Sequence, residues 1–383
     1  MKIPFNKPYC QGKELEYIKS AMDFGHISGN GIFTQKVHAF FEQRYGYKKT
    51  FMTTSCTDAF EMAVMLMDLK PGDEVIMPSF TFVSTTNPFI LKGARIVFAD
   101  TLPNHPNIDL DEAEKLITRK TRVLVVMHYG GVAVDMDKAV ALAKKYNLVL
   151  IEDVAHAIDS YYKGIPLGSF GHFAAFSFHE TKNISCGEGG LLIINDEKYI
   201  ARAEIVWEKG TNRSAFSRGE VSKYEWVDVG SSFVPSEIIA AVLCAQINMI
   251  DEIQQQRILL WERYFTNLAP LAKKGYIALD DLPDYATNNG HLFYFLMKDQ
   301  QSRNHLLQFL NDHAVHAVFH YLPLHKSPYY ADKHDGRMLP NTQKYTDTLI
   351  RLPMFFELTP DAVDFICGIV GQFFEEKPAG YFS

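Results

Sequence analysis

Three places along the chain put reactive side chains at the ends of short β-rich runs. Asp153 follows residues 148–152, His128 follows residues 122–127, and Ser177-Phe178-His179-Glu180-Thr181-Lys182-Asn183 closes a run that begins at residue 173. In an open parallel sheet, ligands bind beyond the carboxyl ends of the strands, so these positions gather an acid, imidazoles, a hydroxyl and a lysine at one edge. An acid at one strand end and a lysine beyond a later one are what a pyridoxal phosphate site requires. The lysine amine makes a Schiff base, and the acid keeps the pyridine nitrogen protonated so that the ring can accept electrons. The cofactor's phosphate needs backbone N–H groups at a helix start, and Thr54-Ser55-Cys56-Thr57 stands just before a helical pattern. Its ring needs an apolar cover, which Phe80 and Phe82 in the run 78–85 can supply. Taken singly, each residue has an ordinary reading: Lys182 as a surface lysine, Asp153 as a strand-end cap, Ser55 and Thr57 as N-caps, Phe82 as core. The ordered combination carries the argument.

The surrounding pattern predicts the elements that would hold these residues. Strands are expected at residues 74–77, 95–99, 122–127, 148–152, 173–178 and 191–194, alternating with amphipathic helices. In residues 57–69, Phe60, Ala63, Val64 and Met67 fall at i, i+3, i+4, i+7, and residues 136–146 repeat the idea with Ala139, Leu142 and Ala143. Such alternation is the signature of an α/β domain with a largely parallel sheet. A helix at 197–207 leads into a polar stretch, 209–223, and one long helical pattern then runs from about Pro235 to Leu268. Strands at 292–297 and 315–319 and helices at 303–313 and 361–374 compose a smaller α+β unit.

Composition narrows the functional classes. The 383 residues are 47% hydrophobic and 22% charged, which fits a globular chain of about two domains rather than a disordered one. A formal net charge of −7 speaks against a nucleic-acid surface. The most membrane-like stretch, residues 238–245, stops at Gln246, short of the ~20 apolar residues of a bilayer span. No apolar leader precedes Lys7, so a cytoplasmic location is expected. The five cysteines are scattered without a C-x-x-C pair, so neither a disulfide framework nor a zinc site is expected, and Cys56 and Cys186 read as small apolar fillers. His313, His316, His320 and His325 lack the spacing of a helical metal-ligand pair, and no metal is expected. Lys209 and Arg213 are open to two readings, contacts for a nucleotide diphosphate or solvated loop charges.

The chain resembles the DegT-type nucleotide-sugar aminotransferases, which have the aspartate-aminotransferase fold, fold type I of the pyridoxal phosphate enzymes. The resemblance is carried by Pro71-Gly72-Asp73-Glu74-Val75-Ile76, the run 78–85, Glu152-Asp153-Val154-Ala155-His156, the run 177–183, Gly187-Glu188-Gly189-Gly190 and His320-Tyr321-Leu322-Pro323-Leu324-His325. It implies an α/β large domain, residues 1–245, around a mostly parallel seven-stranded sheet, and a long connecting helix with a small α+β domain, residues 246–383. It implies that Lys182 is the Schiff-base lysine and Asp153 the partner of the pyridine nitrogen. His156 would stand near the cofactor's 3-hydroxyl, Phe82 would stack on the ring, and Ser177, Cys56 and Thr57 would hold the phosphate. Ser232 stands where many members have an asparagine that completes the neighbouring subunit's phosphate site. His320, Tyr321 and His325 would line the substrate cleft.

Within the family, the stretches 179–183, 208–214 and 228–232 resemble members that aminate C4 of dTDP-4-keto-6-deoxyglucose with L-glutamate. Such sugars feed cell-surface polysaccharides, enterobacterial common antigen among them. The resemblance also implies a homodimer with active sites at the subunit interface. A C3-specific aminotransferase would share every cofactor residue, whereas a non-catalytic sensor on this scaffold would be expected to lose Lys182 or Asp153. A nicotinamide-dependent oxidoreductase would need a G-x-G-x-x-G after an early strand, and no such run is present.

Overall fold

The computed structural model describes residues 2–10, 12–280 and 282–376. The strands are β1 (Lys49–Thr53), β2 (Glu74–Pro78), β3 (Arg95–Ala99), β4 (Thr121–Met127), β5 (Val149–Asp153), the short hairpin β6 (Tyr161–Tyr162) and β7 (Ile165–Pro166), β8 (Phe173–Ser177), β9 (Gly190–Ile194), β10 (Phe293–Leu296) and β11 (Leu349–Leu352). Seven of them make one sheet in the order β1-β9-β8-β5-β4-β2-β3. The strands from β8 to β3 run parallel, and β9 is antiparallel to both of its neighbours. The six strand runs expected from sequence are all present in this sheet, and β1 is the one not foreseen. It carries Thr50 and Thr53 at buried positions, and the Thr50 N–H and hydroxyl both donate to Glu42 Oε1, at 2.9 and 3.1 Å. That bond removes the desolvation cost which makes threonine look like a surface residue.

Both faces of the sheet are covered, which is why its central strands read as continuous apolar runs. Successive residues of β4 serve opposite cores. Leu124 and Val126 pack with Val37, Phe41, Phe176 and Leu191, whereas Val123 and Val125 pack with Phe51, Phe60, Ile151 and Trp207. A third core joins Leu260, Tyr264 and Leu268 to Phe293, Phe295, Ile350, Leu352, Ile366 and Val370, with Ile3 from the start of the chain. Among the described residues no helix is long and apolar enough to cross a membrane.

Two expectations need correction. The pattern 235–268 is two helices, Glu237–Ile247 and Ile250–Lys273. The first is capped by the Ser236 side chain, which accepts from the Ile239 N–H, and it packs against the helices Lys13–Asp23 and Ile32–Tyr45. The second enters the first core with Ile250 and Ile253 and the third with Leu260, Tyr264 and Leu268. Apolar periodicity hardly registers a short break whose flanking residues, Ile247 and Ile250, are both buried. Residues 315–319 form no strand. Val315 bridges Ile3 on one side and Val318 bridges Arg351 on the other, so the segment meets two neighbours at single points, and β11 takes the place beside β10.

Candidate active site

Parallel register sets the site. Met127 lies beside Asp153, and Asp153 beside Ala175, so the loops after β4, β5 and β8 open at one edge of the sheet. Asp153 is the last residue of β5 and is buried. Its Oδ2 accepts from the Thr85 hydroxyl at 2.7 Å and its Oδ1 from the Ala155 N–H at 3.1 Å. Burial raises its pKa, and the two hydrogen bonds and the Lys182 charge oppose the rise. Lys182 follows the adjacent strand, half-buried. Burial brings its amine down from 10.5 to about 8, with the Arg351 charge acting in the same sense and Cys56 and Asp153 opposing. Below pH 8 the amine is protonated and cannot attack a carbonyl; above it the free amine dominates. The capture rate of pyridoxal phosphate by apoprotein should therefore rise about tenfold per pH unit up to pH 8 and level off beyond it, as stopped-flow absorbance would record.

The phosphate end is built at the helix Cys56–Leu66, one residue earlier than the pattern 57–69 suggests. Ser55 is the N-cap, and its hydroxyl accepts from the Asp58 N–H. Among the described residues the N–H groups of Cys56 and Thr57 have no partner, which leaves two donors at the positive end of a helix dipole. Gly190 passes so near that a Cβ there would lie 2.5 Å from the Cys56 nitrogen, so only glycine permits this approach. Thr57 Oγ1 donates to Ser84 Oγ at 2.7 Å, and Cys56 Sγ lies 3.8 Å from the Ala175 carbonyl. Burial first, then Asp153, pushes the Cys56 thiol well up, away from nucleophile chemistry. Ser177, at the end of β8, lines a small cavity with Ala155, His156, Phe176, Lys182 and His291.

Of the two aromatics after β2, Phe80 is wholly buried, and Phe82 is 56% exposed with its ring 6.4 Å from that of Tyr321. His156 is buried; its Nδ1 accepts from the Gly130 N–H at 3.3 Å, which leaves the ring proton on Nε2, 3.5 Å from the Tyr321 hydroxyl. Its ring stacks on His291 at 4.2 Å. His291 Nδ1 donates to Asn183 Oδ1 at 2.8 Å, and Asn183 Nδ2 donates to Gln254 and to the Asn289 carbonyl, so the residue after Lys182 is pinned in place. Tyr129 and His320 are joined at 3.0 Å between Tyr129 Oη and His320 Nδ1. Burial holds His156, His291 and His320 far below the usual imidazole range, so all three are neutral at physiological pH.

The remaining expected residues lie elsewhere. His128 turns away from the edge: its Nδ1 accepts from the Val134 N–H and its Nε2 faces Glu152 at 3.2 Å, a carboxylate that also accepts from the N–H groups of Gly168, Phe170 and Gly171. His325 is buried against Ser79, whose Oγ lies 2.8 Å from His325 Nδ1, so it is tied beneath the loop that carries Phe82 rather than presented to a cleft beside Tyr321. Lys209, Arg213 and Ser232 share an exposed patch. Lys209 N–H donates to the Ser231 carbonyl, Ser232 bridges Glu208, and Arg213 Nε stands 3.7 Å from Glu208 Oε2. Phe233 ties this patch to the phosphate end by accepting from the Thr54 N–H at 3.1 Å. Thr85, Tyr129, His291 and Arg351 belong to the site and were not foreseen. Arg351 alone left a sequence signal, as the one charge in the apolar run 349–354. No group of three or more His, Cys, Asp or Glu among the described residues could hold a metal ion.

A buried acid ending a central parallel strand, a lysine of lowered pKa beyond its neighbour, and open amides at a helix start on a seven-stranded sheet define a fold type I aminotransferase architecture. The family model for DegT/DnrJ/EryC1/StrS aminotransferases matches residues 8–371, and the chain belongs to that family. It is similar to the aminotransferase TlmJ of Streptoalloteichus hindustanus, at 26% identity and TM-score 0.89 over 97% of this chain and 99% of that one. It is similar as well to DesV of S. venezuelae, at 26% identity and TM-score 0.90 over 98% and 100% of the two chains. NtdA of Bacillus subtilis, solved with its bound cofactor PMP, is 25% identical with TM-score 0.86 over 96% of this chain and 83% of that one.

Proposed function

We propose that this chain is a pyridoxal-phosphate-dependent nucleotide-sugar aminotransferase. It moves the amino group of L-glutamate to C4 of dTDP-4-keto-6-deoxyglucose, giving dTDP-4-amino-4,6-dideoxygalactose and 2-oxoglutarate. The observation that carries the reading is the pairing of Lys182, its amine brought to about 8, with the buried Asp153 carboxylate on the adjacent strand end. The sugar and the position aminated rest on the resemblance in residues 179–183, 208–214 and 228–232.

When bound, pyridoxal phosphate supplies an electron sink for charge developed at the carbon that gains or loses the amine. The chain's own residues do the rest. Asp153, whose carboxyl accepts from Thr85 and the Ala155 N–H against the upward push of burial, would keep a proton on the ring nitrogen. The Cys56 and Thr57 amides and the Ser177 hydroxyl would hold the phosphate, Phe82 would cover the ring, and His156 would stand near its 3-hydroxyl. Lys182 Nζ, its amine brought to about 8, would hold and move the proton at the substrate carbon, so that one base would serve both directions. Burial holds His156, His291 and His320 well below the usual imidazole range, so they are weak bases that compete poorly for that proton.

The chain acts as a homodimer in this reading, with Ser232 offered to the partner's phosphate site and Lys209 and Arg213 to the nucleotide diphosphate, and it divides after residue 245 into a large and a small domain. Its product feeds cell-surface polysaccharide synthesis of the enterobacterial common antigen kind. Proton NMR of the product from L-glutamate and dTDP-4-keto-6-deoxyglucose tests the regiochemistry. An amine at C4 in the galacto configuration supports the reading, and an amine at C3 replaces it with the C3-specific alternative.

A further inference from the structure

His291 is a buried imidazole in contact with two side chains that frame the site. It stands on the segment between the helix Ile250–Lys273 and β10, and it lines the small cavity shared by Lys182, Ser177 and His156. Its ring lies against that of His156, with centroids 4.2 Å apart and planes 28° from parallel. Its Nδ1 lies 2.8 Å from Asn183 Oδ1. The amides fix the direction of that bond. Gln254 Nε2 donates to the carbonyls of Ile158 and Asn289, so Gln254 Oε1 is an acceptor, and Asn183 Nδ2 donates to it at 2.7 Å and to the Asn289 carbonyl at 3.1 Å. The Asn183 oxygen therefore accepts, and His291 Nδ1 carries the proton. The backbone completes the unit: Asn289 Nδ2 donates to the carbonyls of His156 and Ile158, at 2.7 and 2.8 Å, and Asn289 Oδ1 accepts from the His291 N–H at 3.0 Å. Between them Gly290 has φ +59°, and a Cβ there would come within 2.6 Å of the Arg257 backbone, so glycine is required where the chain turns to present His291.

Lys182 ends a flexible four-carbon stem, so the place its amine takes depends on how firmly the backbone beneath it is held. Asn183, the next residue, is held through both ends of its amide, and among the described residues His291 is the donor to its oxygen. Without that donor a buried amide oxygen would be left unpaired, a cost that favours movement of the side chain and of the backbone it anchors. His156 is tied through Nδ1 to the Gly130 N–H, and the His291 ring backs its face. We propose that His291 is a positioning residue, a single imidazole that sets Lys182 through Asn183 and the tilt of His156 through its ring. The proposal rests on the reading that Lys182 bonds the cofactor and that His156 stands near its 3-hydroxyl. It adds that one side chain, touching neither cofactor nor substrate, places both.

The test compares the full-length chain as wild type, His291→Ala, His291→Asn, His291→Phe, Asn183→Ala and the double variant His291→Phe/Asn183→Ala. Asparagine keeps a donor for Asn183 without the ring, and phenylalanine keeps a ring for His156 without the donor. The first readout is capture of pyridoxal phosphate by the apoprotein at about pH 9, above the value of about 8 at which Lys182 loses its proton, so that the rate reports placement rather than protonation. Capture should slow about 10-fold in His291→Ala, and asparagine and phenylalanine should each restore part of it. The second readout is turnover with L-glutamate and the ketosugar. For His291→Ala, kcat should fall about 10- to 100-fold while KM for either substrate stays within about twofold of wild type. The double variant should lose little more than Asn183→Ala alone, because both changes remove the same hydrogen bond. Unchanged capture and kcat in a folded His291→Ala protein, a loss that appears in KM alone, losses that simply add in the double variant, or no recovery by either replacement overturns the proposal. If His291→Ala does not fold, His291→Asn and His291→Phe against wild type carry the same comparison. A wild type that captures no pyridoxal phosphate would instead overturn the reading of Lys182 beneath it.

Discussion

Replacing Lys182 with alanine is expected to leave less than about a thousandth of wild-type turnover, with pyridoxal phosphate still retained through gel filtration. The two halves of that expectation have different causes. Turnover falls because no other group in the cavity is suited to carry the proton: burial makes His156, His291 and His320 weak bases, each is already tied to Gly130, Asn183 or Tyr129, and the Cys56 thiol is pushed well up by burial. Retention persists because the phosphate donors at Cys56 and Thr57, the exposed Phe82 ring and the Asp153 carboxylate are untouched. Assays with L-glutamate and ketosugar, beside the absorbance of the eluted protein, check both. Retained turnover would remove Lys182 from the chemistry.

Asp153→Asn is expected to cost about 10²–10³-fold in each half-reaction alike. The substitution keeps volume and removes charge, so Thr85 and Ala155 keep a partner while the ring nitrogen loses its anion. The effect should therefore fall on the rate rather than on folding. Circular dichroism and the melting temperature of the variant should stay near those of wild type, and rates measured separately for glutamate and ketosugar should drop together. A loss confined to one half would point to a substrate contact instead of an effect on the cofactor ring.

How much of this was legible in the sequence depends on the range over which each residue acts. Strand runs buried on both faces, such as residues 122–127, announce themselves by composition, and the acid and lysine follow directly from where those runs end. β1 was hidden because its buried threonines are satisfied outside the strand, Thr50 by Glu42 and Thr53 by the Ser55 carbonyl. The break at Asn248 was hidden because apolar positions continue on both sides of it. Thr85 and His291 act across separations that no local pattern encodes. Thr85 reaches Asp153 across 68 residues and His291 reaches Asn183 across 108. His325, which the resemblance groups with His320 and Tyr321, has its partner in Ser79, 246 residues away, a contact that no local pattern encodes.

The central claim is that one cofactor, held between Lys182 and Asp153, accepts an amine from glutamate and passes it to a dTDP-ketosugar. The direct measurement is the absorption spectrum of the purified protein loaded with pyridoxal phosphate, recorded alone, after L-glutamate, and again after dTDP-4-keto-6-deoxyglucose. A band of bound cofactor should disappear with glutamate and return with the ketosugar. A band that glutamate leaves unchanged, or one that glutamate removes and the ketosugar does not restore, contradicts that claim.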